Sequence, residues 1–156
     1  MEAVQQSGKA RSIGVSNFRI QDLEALRQTQ EIAPAVNQIE FHPYLQSTSL
    51  INYHKEHNIA TEAYAPLTPI TKASPGPLDE YLLGVAKKYA VSPGEILLRW
   101  CIDQDIVPIT TSAKEQRLSD MLRVATFKLT PKEIKEICEL GAKKKFRGFW
   151  HGKFED

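Results

Sequence analysis

No charge sign dominates this sequence. Lys and Arg number 20 against 19 Asp and Glu in 156 residues, a formal net charge of +1. That balance supplies no long-range attraction to nucleic acid or to an anionic membrane. Long apolar runs are missing too, and none approaches the roughly 18 residues a spanning helix needs. The opening MEAVQQSGKAR has no apolar core of the kind a secretory signal peptide carries. Cysteine is scarce: Cys101 and Cys138 stand far apart, without CxxC spacing. Both fall in helix-like stretches among apolar neighbours, which reads as buried, reduced thiols in a cytoplasmic protein. Glycine-rich phosphate loops are absent, with neither GxGxxG nor a Walker-type GK[ST], so any nucleotide is bound by other means. Solenoid repeats and low-complexity segments are absent as well.

What remains is an ordinary soluble composition, 42% apolar and 25% charged, at a length that suits one compact domain spanning 1–156. Apolar runs at 11–15, 35–39, 59–63 and 106–109 read as strands. Helical patterns follow them: RIQDLEALRQ, STSLINYHKEH, the pair LDEYLLGVAKKYA and SPGEILLRWCIDQ, then KEQRLSDMLRV and TPKEIKEICELGA. Ser47, Thr48 and Ser49 offer an N-cap, Ser92 with Pro93 another, and Thr130, Pro131 and Glu133 a capping box. The Pro-rich stretch 64–78 reads as a long irregular loop. The basic, aromatic segment 143–156 reads as a tail without period, with Lys143 to Lys145 a solvated helix end. Strand and helix in alternation, with the first three strands recurring about every 24 residues, are the grammar of an α/β fold with a parallel sheet.

Ligands of parallel sheets bind beyond the carboxyl ends of the strands. The first strand delivers Ser16 and Asn17 there. The second delivers Asn37, Gln38 and Glu40, the third Glu62 and Tyr64, the fourth Thr110, Thr111 and Ser112. Asn and Gln both donate to and accept from a carboxamide, and a tyrosine ring stacks on a flat heterocycle. The fourth end also opens a helix, with Lys114 and Arg117 nearby, which is the composition of a phosphate site. Capping alone accounts for the hydroxyls but not for Asn17, Gln38 and Tyr64. His42 reads as a structural hydrogen-bonding group. His54 and His57 share a polar helix face and read as exposed, with no third ligand to make a metal site.

The strings GKARSIGVSNF, PAVNQIEFHPYLQ, AYAPL and SAKEQRLSDMLRVATFKLTPKEIKEI, in that order, resemble the aldo-keto reductase superfamily over nearly the whole chain. TTSAKEQRLSD is closer to its fungal ketone-reducing branch than to the vertebrate aldose reductases. The resemblance implies a (β/α)8 TIM barrel that reduces aldehydes and ketones with NADP(H). It implies that Ser16, Asn17 and Gln38 hold the nicotinamide carboxamide, that Tyr64 stacks on the ring, and that Ala65, Pro66 and Leu67 lie along the pyrophosphate. Around the adenosine 2′-phosphate the family pattern reads Lys-Ser, Arg, then Glu-Asn. Thr111, Ser112, Arg117, Asp120 and Met121 stand there. Thr111 in place of lysine weakens the expected preference for NADP over NAD, although an arginine fork alone can hold a phosphate. Trp150 falls where the family's carboxyl-terminal segment borders the substrate pocket.

A whole barrel takes about 250 residues. The resemblance assigns these four strands to its second half, so the expected fold is a partial barrel: four parallel βα units with extra helices and a C-terminal tail. The family's Asp, Tyr, Lys and His tetrad lies on the first four strands, so no catalytic residue carries over. A half barrel has open edges, and its inward residues, Ile13 and Val15 among them, are expected to form an exposed apolar groove prone to self-association. Two readings stand: the cofactor-binding half of a carbonyl reductase, or a half barrel that binds a nucleotide, or nothing, without chemistry.

Overall fold

A computed structural model describes residues 1–154; the last two residues of the expected tail, Glu155 and Asp156, lie outside the described residues. The elements are α1 (Glu2–Gln6), β1 (Gly14–Ser16), α2 (Ile20–Arg27), β2 (Val36–Glu40), α3 (Thr48–Glu56), β3 (Ala60–Tyr64), α4 (Thr68–Thr71), α5 (Asp79–Tyr89), α6 (Pro93–Ile102), β4 (Ile106–Pro108), α7 (Glu115–Arg123) and α8 (Pro131–Gly141). The strands form one sheet in the order β1-β2-β3-β4. β1 pairs with β2 in parallel, Gly14 opposite Val36 and Ser16 opposite Gln38. This is the α/β architecture of a partial (β/α)8 barrel.

The chain divides into two compact units, Met1–Ile39 with Ser47–Glu62, and Glu40–Gln46 with everything from Ala63 onward. In the first, Leu23, Ile39, Leu50, Ile51 and Ile59 are buried. A side chain at Gly14 would strike Val36, so the close approach of β1 to β2 needs glycine. In the second, Phe41 stacks on Trp100 with ring centroids 5.1 Å apart, among Leu78, Leu82, Ile96, Leu97 and Ile137.

Two helix starts follow their sequence signals. Ser92 and Glu95 form a reciprocal capping box ahead of α6, with Pro93 in its first turn, and Thr130 with Glu133 does the same for α8. Both caps satisfy amides that have no partner inside the helix.

Several expectations are corrected. Ser47 is the N-cap of α3, but it adopts a left-handed conformation and its side chain makes no capping bond. The stretch 64–78 contains a helical turn, α4, because Pro69 occupies the first turn, where no amide donor is needed. The Thr68 and Thr71 hydroxyls tie that turn to the Ala65 and Leu67 carbonyls, each at 2.9 Å.

Strand phase is corrected as well. β1 begins at Gly14 rather than at 11, and Ile13 is buried at 9% exposure. Side chains alternate across a strand, so a slip of one residue exchanges the faces. In the first unit Gly14, Ser16 and Ala60 are exposed, Val15, Val36, Gln38 and Glu62 are half-buried, and Asn37, Ile39 and Thr61 are buried. Ile13 and Val15 do line a largely apolar cleft of about 300 Å³, with Phe18, Leu26, Ile32 and Pro34, while Gly14, Ser16 and Gln38 make the alternate face small or polar. In the second unit Val107 and Ile109 do stand 51% and 39% exposed.

Lys144 is not a solvated end of its helix: its ammonium donates to the carbonyls of Ala73 and Pro75. Cys101 and Cys138 are free thiols, the first buried and the second partly exposed. Among the described residues, no helix is long and apolar enough to cross a membrane.

Candidate functional site: polar strand ends and an arginine-bearing cleft

In the first unit, the carboxyl ends of β1 and β2 meet through Gln38. The Asn17 amide donates to the Gln38 carbonyl at 2.9 Å, and the Ser16 hydroxyl donates to the same oxygen at 3.0 Å. The Asn17 side-chain amide donates to the Ser16 Oγ at 3.0 Å. Asn17 holds φ at 57°, the left-handed region that asparagine tolerates better than most residues. The chain turns there, and Asn17 stays buried beside the Gln38 backbone. The Gln38 side chain donates from Nε2 to Glu62 at 2.7 Å. Ser16, Asn17 and Gln38 thus gather two amides and a hydroxyl, with Glu62 orienting one amide. Such a set offers both donors and acceptors, which a carboxamide requires.

The same unit holds a buried polar group that the sequence did not announce. His54 is fully buried, contrary to its expected exposure. Its Nε2 lies 3.0 Å from the Asn37 side-chain nitrogen, and its Nδ1 lies 2.8 Å from the Thr61 hydroxyl. Burial drives its pKa down to about 4, so the ring is neutral at ordinary pH. His57, on the next turn, stacks on Tyr53 near the surface.

In the second unit, Tyr64 ends β3. Burial, and then the Glu40 carboxylate, push its phenol up to about 12, with Arg147 opposing. The ring meets Phe149 edge-on at a centroid distance of 5.6 Å, and the Lys72 ammonium sits 4.0 Å from the centre of the Phe149 ring. Glu40 anchors this arrangement. Its carboxylate accepts from the backbone amides of Gly148 at 2.7 Å and Phe149 at 3.1 Å, and from His42 Nε2 at 3.3 Å. Burial alone would raise the Glu40 pKa, but these hydrogen bonds outweigh it and hold the group below the usual carboxylate range. His42 is the structural hydrogen-bonding group its sequence context indicates.

The second unit also contains a cleft of about 450 Å³ between α4, the start of α6, and α7. Leu67, Thr111, Arg117 and Asp120 line it, as do Ser92, Pro93, Gly94 and Met121. Arg117 is exposed and makes no ion pair among the described residues. Arg123 is committed elsewhere: it forms a two-point pair with buried Glu95, both contacts at 3.0 Å, and a contact with Asp120 at 3.3 Å. Burial would raise the Glu95 pKa, yet the Arg123 pair and the Ser92 cap hold it low. Asp120 also accepts from Gln116 at 2.8 Å. Among the described residues that line the cleft, the cation without an ion pair is therefore Arg117, and Thr111 lines the same cleft.

The remaining anticipated site residues fall elsewhere. Ser112 does not line the cleft, and its Oγ accepts from the Lys114 amide at 3.1 Å. Ala65, at φ 54°, forms the turn that leads into α4 and, like Pro66, stays outside the cleft lining. Trp150 is 55% exposed; the tail ring that meets Tyr64 is Phe149. The residues sequence reasoning missed are Glu40 as a tail anchor, Phe149, and the Ser92 to Glu95 wall. The capping signal at Ser92 was legible, but nothing local shows that a helix start faces a cleft. Among the described residues, no cluster of three His, Cys, Asp or Glu could hold a metal ion.

The family model for the aldo/keto reductase family matches residues 1–142. The chain belongs to the aldo-keto reductase family. It is 40% identical to the NADPH-dependent alpha-keto amide reductase of Saccharomyces cerevisiae, over 97% of this chain and 51% of that protein. It is also 40% identical to the NAD/NADP-dependent indole-3-acetaldehyde reductase of Schizosaccharomyces pombe, over 96% of this chain and 53% of the relative. The chain spans about half the length of the curated relatives it matches. Among solved structures, a Bombyx mori aldo-keto reductase in complex with NADP superposes with a TM-score of 0.83 at 34% identity, covering 90% of this chain and 48% of the other. An aldo-keto reductase from a deep-sea metagenome reaches a TM-score of 0.87 at 34% identity, covering 97% and 56%.

Proposed function

We propose that this chain supplies the cofactor-binding half of an NADP(H)-dependent reductase of aldehydes and ketones. The observation that carries the reading is the cleft of about 450 Å³ lined by both Thr111 and Arg117, whose guanidinium makes no ion pair among the described residues. The amides and hydroxyl of Ser16, Asn17 and Gln38 support it, because that donor set fits a nicotinamide carboxamide.

Each residue has a distinct task in this reading. Ser16, Asn17 and Gln38 fix the carboxamide and hence which face of the ring is presented. Tyr64, whose phenol is protonated at neutral pH as any tyrosine's is and more firmly so here, offers a neutral ring surface. Leu67 and the turn at Ala65 and Pro66 border the pyrophosphate. Arg117, with Thr111, neutralises the 2′-phosphate, and Asp120 is kept from opposing it by Arg123 and Gln116. The bound cofactor supplies hydride to a carbonyl carbon. The accompanying proton is assigned to no residue of this chain, since the family tetrad lies on strands this sequence does not match. Trp150 and the tail border the carbonyl substrate.

The test is a fluorescence titration with NADPH and with NADH. NADPH binds, and Arg117→Met weakens it by about tenfold while NADH changes little, as expected for one lost charge-assisted contact. Absence of binding by either cofactor refutes the reading. Turnover of a reactive aldehyde by this chain alone, at rates usual for enzymes, refutes the assignment of proton transfer elsewhere.

A further inference from the structure

The Ser16–Asn17 turn rests on a buried group that touches no solvent. Asn37 is fully buried and points away from the accessible face of β2. Its side-chain amide pairs with the backbone of Phe18 as another strand would: Oδ1 accepts from the Phe18 amide at 3.3 Å, and Nδ2 donates to the Phe18 carbonyl at 2.8 Å. The second hydrogen on Nδ2 is directed at His54 Nε2, 3.0 Å away. An amide nitrogen only donates, so His54 Nε2 must accept, and the ring proton resides on Nδ1, where it donates to Thr61 Oγ1 at 2.8 Å. Every polar atom of Asn37 and His54 is thereby used, as a buried polar network requires.

Phe18 directly follows Asn17, which sits at φ 57°. A left-handed conformation off glycine is disfavoured and persists only where its surroundings over-determine it. Two clamps do so here. On one side the Asn17 amide bonds the Gln38 carbonyl; on the other Asn37 grips Phe18 at both its amide and its carbonyl. We propose that Asn37, held in orientation by neutral His54 and Thr61, is a positioning residue that fixes the Asn17 side chain for the nicotinamide carboxamide. The inference rests on the cofactor-binding reading above. It adds that specificity at the nicotinamide end is set by a triad on the far face of the sheet.

The test compares wild type with Asn37→Leu, which keeps the volume and removes both bonds to Phe18, and with His54→Leu and His54→Gln. Calorimetric titrations use reduced nicotinamide mononucleotide for one end of the cofactor and adenosine 2′,5′-bisphosphate for the other. Asn37→Leu and His54→Leu weaken the mononucleotide by about tenfold or more and leave the bisphosphate unchanged. His54→Gln, whose amide both accepts from Asn37 and donates to Thr61, restores it. Equal weakening of both ligands, or of neither, overturns the inference. A second measurement stands apart from cofactor binding: amide hydrogen exchange in the free chain, where Asn37→Leu accelerates Asn17 and Phe18 but not Ile39. If wild type binds neither ligand, the cofactor reading fails, and the exchange result then decides whether Asn37 fixes the turn; unchanged exchange at Phe18 overturns that too.

Discussion

Acidification from pH 7 to pH 5 should destabilise this chain through His54, by an amount the structure sets. The ring is fully buried between Asn37 and Thr61, and burial lowers its pKa from 6.5 in the unfolded chain to about 4. A folded pKa below the unfolded one means that the unfolded state takes up the proton first. The stabilisation is thus full above about pH 6.5 and is lost as pH falls toward 4. The complete span corresponds to about 3 kcal/mol, and the part falling between pH 7 and pH 5 to about 2 kcal/mol. Depressed carboxylates such as Glu95 and Glu133 act mainly below this window, since their unfolded pKa is 4.5. The assay is urea unfolding at pH 7, 6 and 5 on wild type and His54→Gln, which keeps both hydrogen bonds without a titrating ring. Wild type should lose about 2 kcal/mol over the interval, and the variant only a small fraction of it. Parallel losses in the two proteins would refute the argument, because the proton would then be taken up elsewhere.

Two other perturbations probe the second unit. Glu40→Gln removes the charge that binds the Gly148 and Phe149 amides, so limited trypsin digestion should cut within 143–147 several-fold faster than in wild type; an unchanged rate would show that the tail is held by other contacts. Arg123→Met leaves the buried Glu95 carboxylate without its two-point partner. Arg123 is about half exposed, so thermal or urea unfolding at pH 7 should show a loss smaller than that of a fully buried pair, and one that shrinks as pH falls below the ordinary carboxylate range and Glu95 takes up a proton.

Much of the architecture was readable locally because its signals are local. Ser92 with Pro93 and Glu95, and Thr130 with Pro131 and Glu133, mark helix starts by satisfying their own first-turn amides, which depends on no distant residue. Strand–helix alternation declared a parallel sheet, and polar residues at strand ends pointed to a ligand edge. The motif strings pointed to the family that the comparisons show. Strand phase was a different matter. Ile13 and Val15 looked like the residues facing the ligand side, yet Gly14 and Ser16 are the more exposed residues of β1 and stand opposite Val36 and Gln38. A two-residue period is identical in either phase, and only the helices packed on one face decide between them.

The tertiary structure alone decided the remainder, because it concerns partners far apart in the chain. Glu40 and Gly148 are separated by 108 residues, and no pattern around either announces the other. The His54 ring reads as polar surface in HKEH, but the fold places it against Asn37 and Thr61 and removes it from water. Arg117 and Arg123 share one helix and one chemistry; only the burial of Glu95 beneath Arg123 separates the committed cation from the one left to the cleft. The sequence by itself settled most of the elements, though not α4, and pointed to the family, since caps, prolines and periodicity act over a few residues. Which polar groups are spent in the core and which are left for a ligand was settled by packing, since burial and pairing belong to the assembled fold.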